Sequence, residues 1–223
     1  MCTQMTSVLS ANCTCSGIEE VSQYKYLGLI IDTNFSWKIH INVLCNKLRI
    51  ILAKFFQFKY VVNRHTLYCV YYALVDAITD YGLSCYELTF STYLQQIKQL
   101  QIRILKLLVD NKTKKKLNGE YTELFKICKV MPVDSKTKYL ILLEQFDNDD
   151  YKKPNQSSRS NRTTKKDKFL KCRVSNYYGE RTRKWLTPRL FNELPDLNCK
   201  QGSLFDCSSK SIFKGRLRKN FLG

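Results

Sequence analysis

The chain lacks the features by which several classes of protein are recognised. It has no run of about 18 apolar residues, so no membrane-spanning helix is predicted. Its opening residues have neither a basic start nor an apolar centre, which predicts an intracellular protein, nuclear or cytoplasmic, that is not secreted. The ten cysteines are therefore expected to be reduced. The absence of a Cys-x-x-Cys pair, with only two histidines, argues against a zinc site.

Acidic residues are scarce relative to basic ones. The 223 residues include 37 Lys and Arg but 19 Asp and Glu, which gives a formal net charge of +18. Solubility alone needs a net charge of about 2 to 8 on a small domain, so the excess favours a polyanionic partner. We therefore predict that the chain binds RNA, DNA or an RNA–DNA hybrid through the phosphates. A solubilising surface is the alternative explanation of the charge.

The spacing of the apolar residues predicts a mainly α fold. From Trp37 to Phe58 they recur at alternating steps of four and three, which is typical of one buried stripe on a long helix. Further helices are predicted at about 64–80, 91–110, 120–129, 134–146, 181–192 and 209–221. The pattern also predicts two strands. They are Val21–Asp32, in which Gly28 marks a bulge or a close backbone approach, and Phe169–Val174.

Polar segments separate these elements. Asp32-Thr33-Asn34 predicts a turn, and Ser36 is placed to accept a backbone N–H at the start of the long helix. The basic run Lys112–Lys116 predicts a loop after the third helix. Residues 147–168 are polar throughout, which predicts a flexible linker or an exposed loop.

Several short motifs resemble one known family. They lie in Tyr24–Asp32, which contains Tyr-Leu-Gly, in Phe35–Trp37, in Asp80–Gly82, and in Pro188–Pro195, which reads Pro-x-Leu-Phe-Asn-x-Leu-Pro. Together they resemble the part of an insect-type, Jockey-like non-LTR retrotransposon reverse transcriptase that follows its catalytic palm. The resemblance covers about residues 19–222, with 147–168 unmatched.

The resemblance implies a division of the chain into four parts. Residues 1–33 would be a β-hairpin remnant of the palm edge that carries the primer grip, and 34–146 a helical thumb and connection. Residues 147–168 would be a polar linker, and 169–223 a basic α+β tail. The implied function is that of a fragment of an RNA-directed DNA polymerase that binds primer–template nucleic acid through its phosphates.

The resemblance assigns the chemistry to residues outside this chain. The family polymerises DNA with carboxylates that hold Mg²⁺, among them an Asp-Asp strand turn that precedes the primer grip. The residues before Gly28 contain no Asp, so we predict no catalytic residue, metal ligand or cofactor here. Mg²⁺ would belong to a missing palm, which with the fingers would be a further partner in a longer polyprotein. Asp149-Asp150 lies in the polar linker and is predicted not to bind catalytic metal.

Four groups of residues are predicted to contact nucleic acid. They are the primer-grip residues Tyr26, Leu27 and Gly28, the helix cations Lys47, Arg49 and Lys54, the basic run Lys112, Lys114, Lys115 and Lys116, and the tail cations Arg181, Arg183, Lys184 and Arg189. The first group follows from the resemblance, and the others from their charge. Lys214, Arg216, Arg218 and Lys219 near the end of the chain carry the same expectation. The alternatives are an edge strand, a solvated helix face and, for the basic run, a nuclear-localisation signal or a plain loop.

A second function is consistent with the same sequence. The chain is alternatively a non-catalytic transposon relic, or a host-adopted module whose helices bind another protein. Binding to a primer–template hybrid that weakens steeply with added salt would separate nucleic-acid binding from both alternatives.

Overall fold

The part of the chain that the computed structural model describes comprises residues 21–116, 121–147, 173–175, 177–180, 182–193, 207 and 209–222. These residues form a mainly α-helical structure with one short antiparallel sheet of two strands near the N-terminus, which confirms the predicted fold class. None of the described helices is both long and apolar enough to cross a bilayer.

The elements follow one another with short links. The strands are β1 (Gln23–Tyr26) and β2 (Leu29–Asp32). The helical elements of the first half are α1 (Lys38–Val61), α2 (Arg64–Val70), a π-helical turn (Tyr71–Asp76), α3 (Ala77–Asp80), α4 (Leu83–Tyr86), α5 (Ser91–Leu108) and α6 (Asn111–Lys116). Those that follow are α7 (Tyr121–Cys128), α8 (Val133–Asp147), α9 (Tyr177–Glu180), α10 (Arg183–Glu193) and α11 (Lys210–Leu222).

A β-hairpin occupies the segment for which the apolar pattern predicted a single strand. β1 and β2 pair with Tyr26 opposite Leu29, so Leu27 and Gly28 form a two-residue turn. Both turn residues have positive φ, 45° and 82°, as in a type I′ turn, where glycine is common because it has no Cβ. The β-hairpin expected near the start of the chain is confirmed, whereas the single strand predicted from the apolar pattern is wrong, since Gly28 marks a chain reversal and not a bulge.

The main core lies where α1 packs against α5. Ile41, Leu48 and Phe55 of α1 and Ile97 of α5 are completely buried in one apolar cluster. Burying each such side chain stabilises the fold by about 1.5 to 3 kcal/mol. The predicted stripe is confirmed as far as Phe55. The prediction is wrong for Phe58, which is 36% exposed because the last turn of α1 extends beyond the packed region.

A π-helical turn interrupts the helix that was predicted over 64–80. Asn63 caps α2, since its side-chain oxygen accepts a hydrogen bond from the backbone N–H of Thr66 at 2.8 Å. After α2 the backbone widens into the π-helical turn before α3 begins. Tyr71 of this turn is buried, whereas Tyr72 is exposed. Such single π turns are frequently found at functional sites.

A second core joins α8 to the C-terminal helices α10 and α11. Leu142 of α8 is completely buried there with Phe213 and Leu217 of α11, and Leu190 of α10 is nearly so. Leu140 of α8 packs against both this core and the main core. α8 is therefore the element that links the two.

The structure confirms some of the predictions for the C-terminal region. α10 and α11 agree with the helices predicted at 181–192 and 209–221 to within two residues at each end. The strand predicted over Phe169–Val174 lies mostly outside the described residues, and Arg173 and Val174 are not in a strand. Most of the polar segment 147–168 also lies outside them.

Candidate nucleic-acid interface

The hairpin tip presents the predicted primer-grip residues to solvent. Leu27 is 71% exposed, and Tyr26 and Gly28 are also exposed. Tyr81 holds the tip from below, because its hydroxyl donates a hydrogen bond to the carbonyl oxygen of Leu27. The next residue, Gly82, has φ +69° and lies so close to Leu29 that an added Cβ would come within 2.5 Å of the leucine side chain. Tyr81-Gly82 therefore fixes the position of the hairpin.

The carboxylate of Asp32 connects the hairpin to α1. It accepts hydrogen bonds from the backbone N–H groups of Asn34 (3.1 Å), Ser36 (2.8 Å) and Trp37 (2.9 Å), and from the Ser36 hydroxyl (3.0 Å). Trp37 has φ 61°, a strained backbone for this residue, which these bonds help to hold. The predicted turn is present. The Ser36 hydroxyl accepts from the N–H of Lys38 at 3.3 Å, as predicted for a cap, but Asp32 satisfies more of the local donors.

The three predicted cations of α1 are exposed but do not share one side of the helix. Lys47 and Lys54 are seven residues apart and so lie on the same flank, about two turns from each other. Arg49 is two residues from Lys47 and lies on the opposite flank, where its guanidinium donates to Asn46 at 2.5 Å. Among the described residues neither Lys47 nor Lys54 pairs with a carboxylate. Their charges are available to a ligand.

The basic run forms a helix, so the prediction of a loop is wrong. The backbones of Lys112, Lys114, Lys115 and Lys116 all belong to α6, and the structure describes the side chain of Lys114 alone among them. Lys114 is half-buried, and its ammonium donates to Asn111 at 3.4 Å. Burial and the nearby charge of Lys59 lower the pKa of Lys114. α6 thus brings this part of the basic run to the C-terminal end of α1.

Cations and aromatic rings alternate at this end of α1. The ammonium of Lys59 lies 5.6 Å from the ring centre of Phe56 and 4.6 Å from that of Tyr60, which is 81% exposed. We call Phe56, Lys59, Tyr60 and Lys114 the α1 end patch. Sequence reasoning did not select Phe56 and Tyr60, although both fall outside the three-and-four apolar repeat of α1. That offset is the signal that could have found them.

Arg183 forms ion pairs within the protein. Its guanidinium donates to Glu87 at 2.7 Å, to the backbone oxygen of Ser84 at 3.3 Å, and to Glu144. The side chain of Glu87 is 1% exposed, and this burial raises its pKa to about 7 against the opposing effect of Arg183. Two carboxylates therefore already occupy the guanidinium, which gives Arg183 a structural role between α10 and the helices before it.

The other tail cations have different surroundings. Arg189 pairs with Glu193 at 2.6 Å, and its guanidinium lies 5.0 Å from the ring centre of Trp185. Lys184 is exposed, and Arg181 lies outside the described residues. The structure does not bring this group next to the α1 end patch through any contact that it describes. Its role in binding nucleic acid stays a prediction.

The described residues contain no group of three or more His, Cys, Asp or Glu side chains placed to share a metal ion. Asp149 and Asp150 lie outside them, so the prediction for this pair stays a prediction. Comparison with protein-family models, with curated proteins and with solved structures finds no match to this chain.

Proposed function

We propose that this chain binds nucleic acid through the sugar–phosphate backbone, as the thumb and tail of a non-LTR retrotransposon reverse transcriptase would. The proposal gives the chain a holding role. Polymerisation would also require carboxylates that bind Mg²⁺, and we assign that role to no residue of this chain. The net charge of +18 supports a polyanionic ligand, because neutralising phosphates with lysine releases counterions.

The α1 end patch carries the proposal. Lys59 and Lys114 lie close enough for each charge to affect the other, and among the described residues neither pairs with a carboxylate. Two uncompensated like charges repel, and a phosphate bound between them would relieve that repulsion. Tyr60 adds an exposed ring beside them. Cations interleaved with rings are typical of surfaces that bind single strands, where bases stack on the rings.

Salt-dependent binding tests the proposal directly. Fluorescence anisotropy would measure the affinity of the full chain for an RNA–DNA primer–template with a single-stranded overhang, across a series of salt concentrations. Lys59→Ala combined with Lys114→Ala should weaken binding and lower the slope of log affinity against log salt by about 2, about 1 for each lost phosphate contact. Lys38→Ala combined with Lys138→Ala is the matched control, because it removes the same charge from exposed positions outside the patch.

A ring variant separates stacking from charge. Tyr60→Ala should reduce the affinity for the overhang by about 1 kcal/mol or more, whereas Tyr60→Phe should retain most of it, because the ring is kept. Tyr60 is 81% exposed, so neither change disturbs the core. The proposal fails if the patch variant and the control variant reduce the slope of log affinity against log salt equally. Binding would then depend on the total charge of the chain and not on the α1 end patch.

Exposed apolar residues on α1 support a second candidate function, the docking of another protein. Ile39, Val43 and Ile50 lie along the outward face of the helix, and Ile50 is 59% exposed. An apolar line of this kind is typical of a helix that packs against a partner. If the wild-type chain shows no salt-dependent affinity for the hybrid, the protein-docking function becomes the better supported one.

A further inference from the structure

A small open cavity lies between the π-helical turn, the link between α7 and α8, α8 itself and α11. Its volume is about 230 Å³. Four cationic side chains line it: Lys129, Lys136, Lys214 and Arg218. The cavity is remote in sequence from the α1 end patch, and its elements come from both cores. It is therefore a product of the tertiary fold.

The charges around this cavity are only partly balanced. Lys136 forms ion pairs with Asp76 at 2.9 Å and Asp80 at 2.6 Å. The other three cations form no ion pair among the described residues. Four cations thus face the two carboxylates of Asp76 and Asp80, so positive charge is in excess at the cavity and a bound anion would reduce the repulsion.

Two cations of α11 line the cavity together with two tyrosines. Lys214 and Arg218 are four residues apart and so lie one above the other on the helix. The charge of Arg218 acts on the hydroxyls of both Tyr72 and Tyr139, which also line the cavity. The Tyr72 hydroxyl already donates to the backbone carbonyl oxygen of Lys129 at 3.4 Å, so the donors left for a phosphate oxygen are the guanidinium of Arg218, the lysine ammonium groups and the hydroxyl of Tyr139.

The backbone at the cavity departs from regular helix in two places. Lys129 has φ 55°, at the end of α7, where glycine is the usual residue. The backbone N–H groups of Lys129 and Val130 donate to carbonyl oxygens of α7, both at 3.0 Å. The hydrogen bonding is therefore that of an ordinary helix end, and the unusual feature is a lysine at the position with positive φ. Tyr72 and Asp76 belong to the π-helical turn. Strained residues and π turns both concentrate at functional sites.

We propose that this cavity binds a phosphate group, as a phosphate monoester or a short inorganic polyphosphate. A volume of about 230 Å³ lies below the range of about 300 to 1,000 Å³ that accommodates larger organic ligands, which suits a compact anion. The phosphate could be the 5′ end of a nucleic-acid strand or a free ion. This proposal does not rest on the α1 end patch, because the two sites share no residue.

Calorimetry with inorganic diphosphate tests the site on the full chain. The wild type should bind it saturably in low salt, and Lys59→Ala combined with Lys114→Ala, which removes the α1 end patch, should leave the affinity of the cavity unchanged. Lys214→Ala combined with Arg218→Ala should weaken that binding at least tenfold, while Lys38→Ala combined with Lys138→Ala, which removes equal charge outside the cavity, should leave it unchanged. Equal binding by the wild type and the Lys214→Ala, Arg218→Ala variant would overturn the proposal.

Lys129→Gly distinguishes a binding role from a structural one. Glycine adopts positive φ without strain, so this variant should unfold at the same or a higher urea concentration than the wild type. If Lys129 holds the anion, the same variant should lose at least fivefold in diphosphate affinity. Unchanged affinity would remove Lys129 from the site.

Two oligonucleotides separate the sources of the phosphate. A strand with a 5′-phosphate should bind at least tenfold more tightly than its 5′-hydroxyl counterpart if strand ends are the ligand. That preference should disappear in the Lys214→Ala, Arg218→Ala variant and persist in Lys59→Ala, Lys114→Ala. Equal binding of both strands, with diphosphate still bound, identifies a free anion as the ligand and leaves the backbone-binding proposal to its own test.

Discussion

Replacing Arg183 with alanine should destabilise the fold by an amount that increases with pH. In the wild type its guanidinium lies 2.7 Å from the carboxylate of Glu87, whose side chain is 1% exposed. The second pair, with Glu144, is half-exposed and contributes less than about 1 kcal/mol. Arg183→Ala therefore acts mainly by leaving a buried carboxyl without its charged partner.

The magnitude follows from the pKa of Glu87, which burial raises from 4.5 to about 7. Wild-type stability therefore falls as pH rises from about 4.5 to 7 and is level above that. At pH 7 the carboxyl of the variant can stay protonated at little extra cost, so the loss is about 1 kcal/mol of hydrogen bonding. Each further pH unit adds up to about 1.4 kcal/mol, because the variant must keep a proton that the wild type releases. We expect a loss of about 3 to 4 kcal/mol at about pH 9 by the same arithmetic.

Urea unfolding followed by circular dichroism at several pH values between about 6 and 9 would measure this. Glu87→Gln supplies the control, because an amide does not titrate. In that background Arg183→Ala should cost about 1 kcal/mol at every pH. A cost in the wild-type background that is constant with pH would refute the reasoning, since the buried carboxyl would then not be the group that needs Arg183.

Three further predictions concern single residues. Gly82→Ala should lower the free energy of unfolding by about 1 to 3 kcal/mol, because the new side chain would have positive φ and its Cβ would clash with Leu29. Gly215→Ala should raise the free energy of unfolding by about 0.5 to 1 kcal/mol, because its Cβ meets no other atom and alanine favours the helix α11. Urea unfolding measures both. Burial, and then Lys47, lower the pKa of His40, so the stability advantage of the wild type over His40→Gln should shrink as pH falls below about 6.5. Burial also raises the pKa of Cys45, so iodoacetamide should alkylate exposed Cys69 well before Cys45, as peptide mass mapping would show.

The helices were predictable because each buries the side chains of only one face. The stripe from Trp37 to Phe55 and the segments that became α5, α10 and α11 each repeat at the helical period, which a sequence displays directly. Gly28 was misinterpreted because a glycine in an apolar run is consistent with both a bulge and a turn. Local sequence does not distinguish them; the positive φ of Leu27 and the contact with Tyr81, 54 residues away, do.

The candidate site was predictable in its charge but not in its arrangement. Lys54 and the basic run were selected because they are lysines, yet whether a cation is free depends on distant partners. Arg183 is adjacent to Lys184 in sequence, but it lies against Glu87, which is 96 residues away. The proposed phosphate cavity is lined by residues of the π-helical turn, α8 and α11. These elements are far apart in the sequence, so no local sequence pattern predicts that they line one cavity.

The shared position of α8 has a consequence for how the chain would respond to cleavage. Leu140 contacts both cores, and α8 packs against α10 and α11 as well as against α5. A protease cut between Asp147 and Arg173 would break the covalent link without removing that packing. The two pieces should therefore co-elute from a sizing column and separate only in denaturant, as the halves of a split protein do.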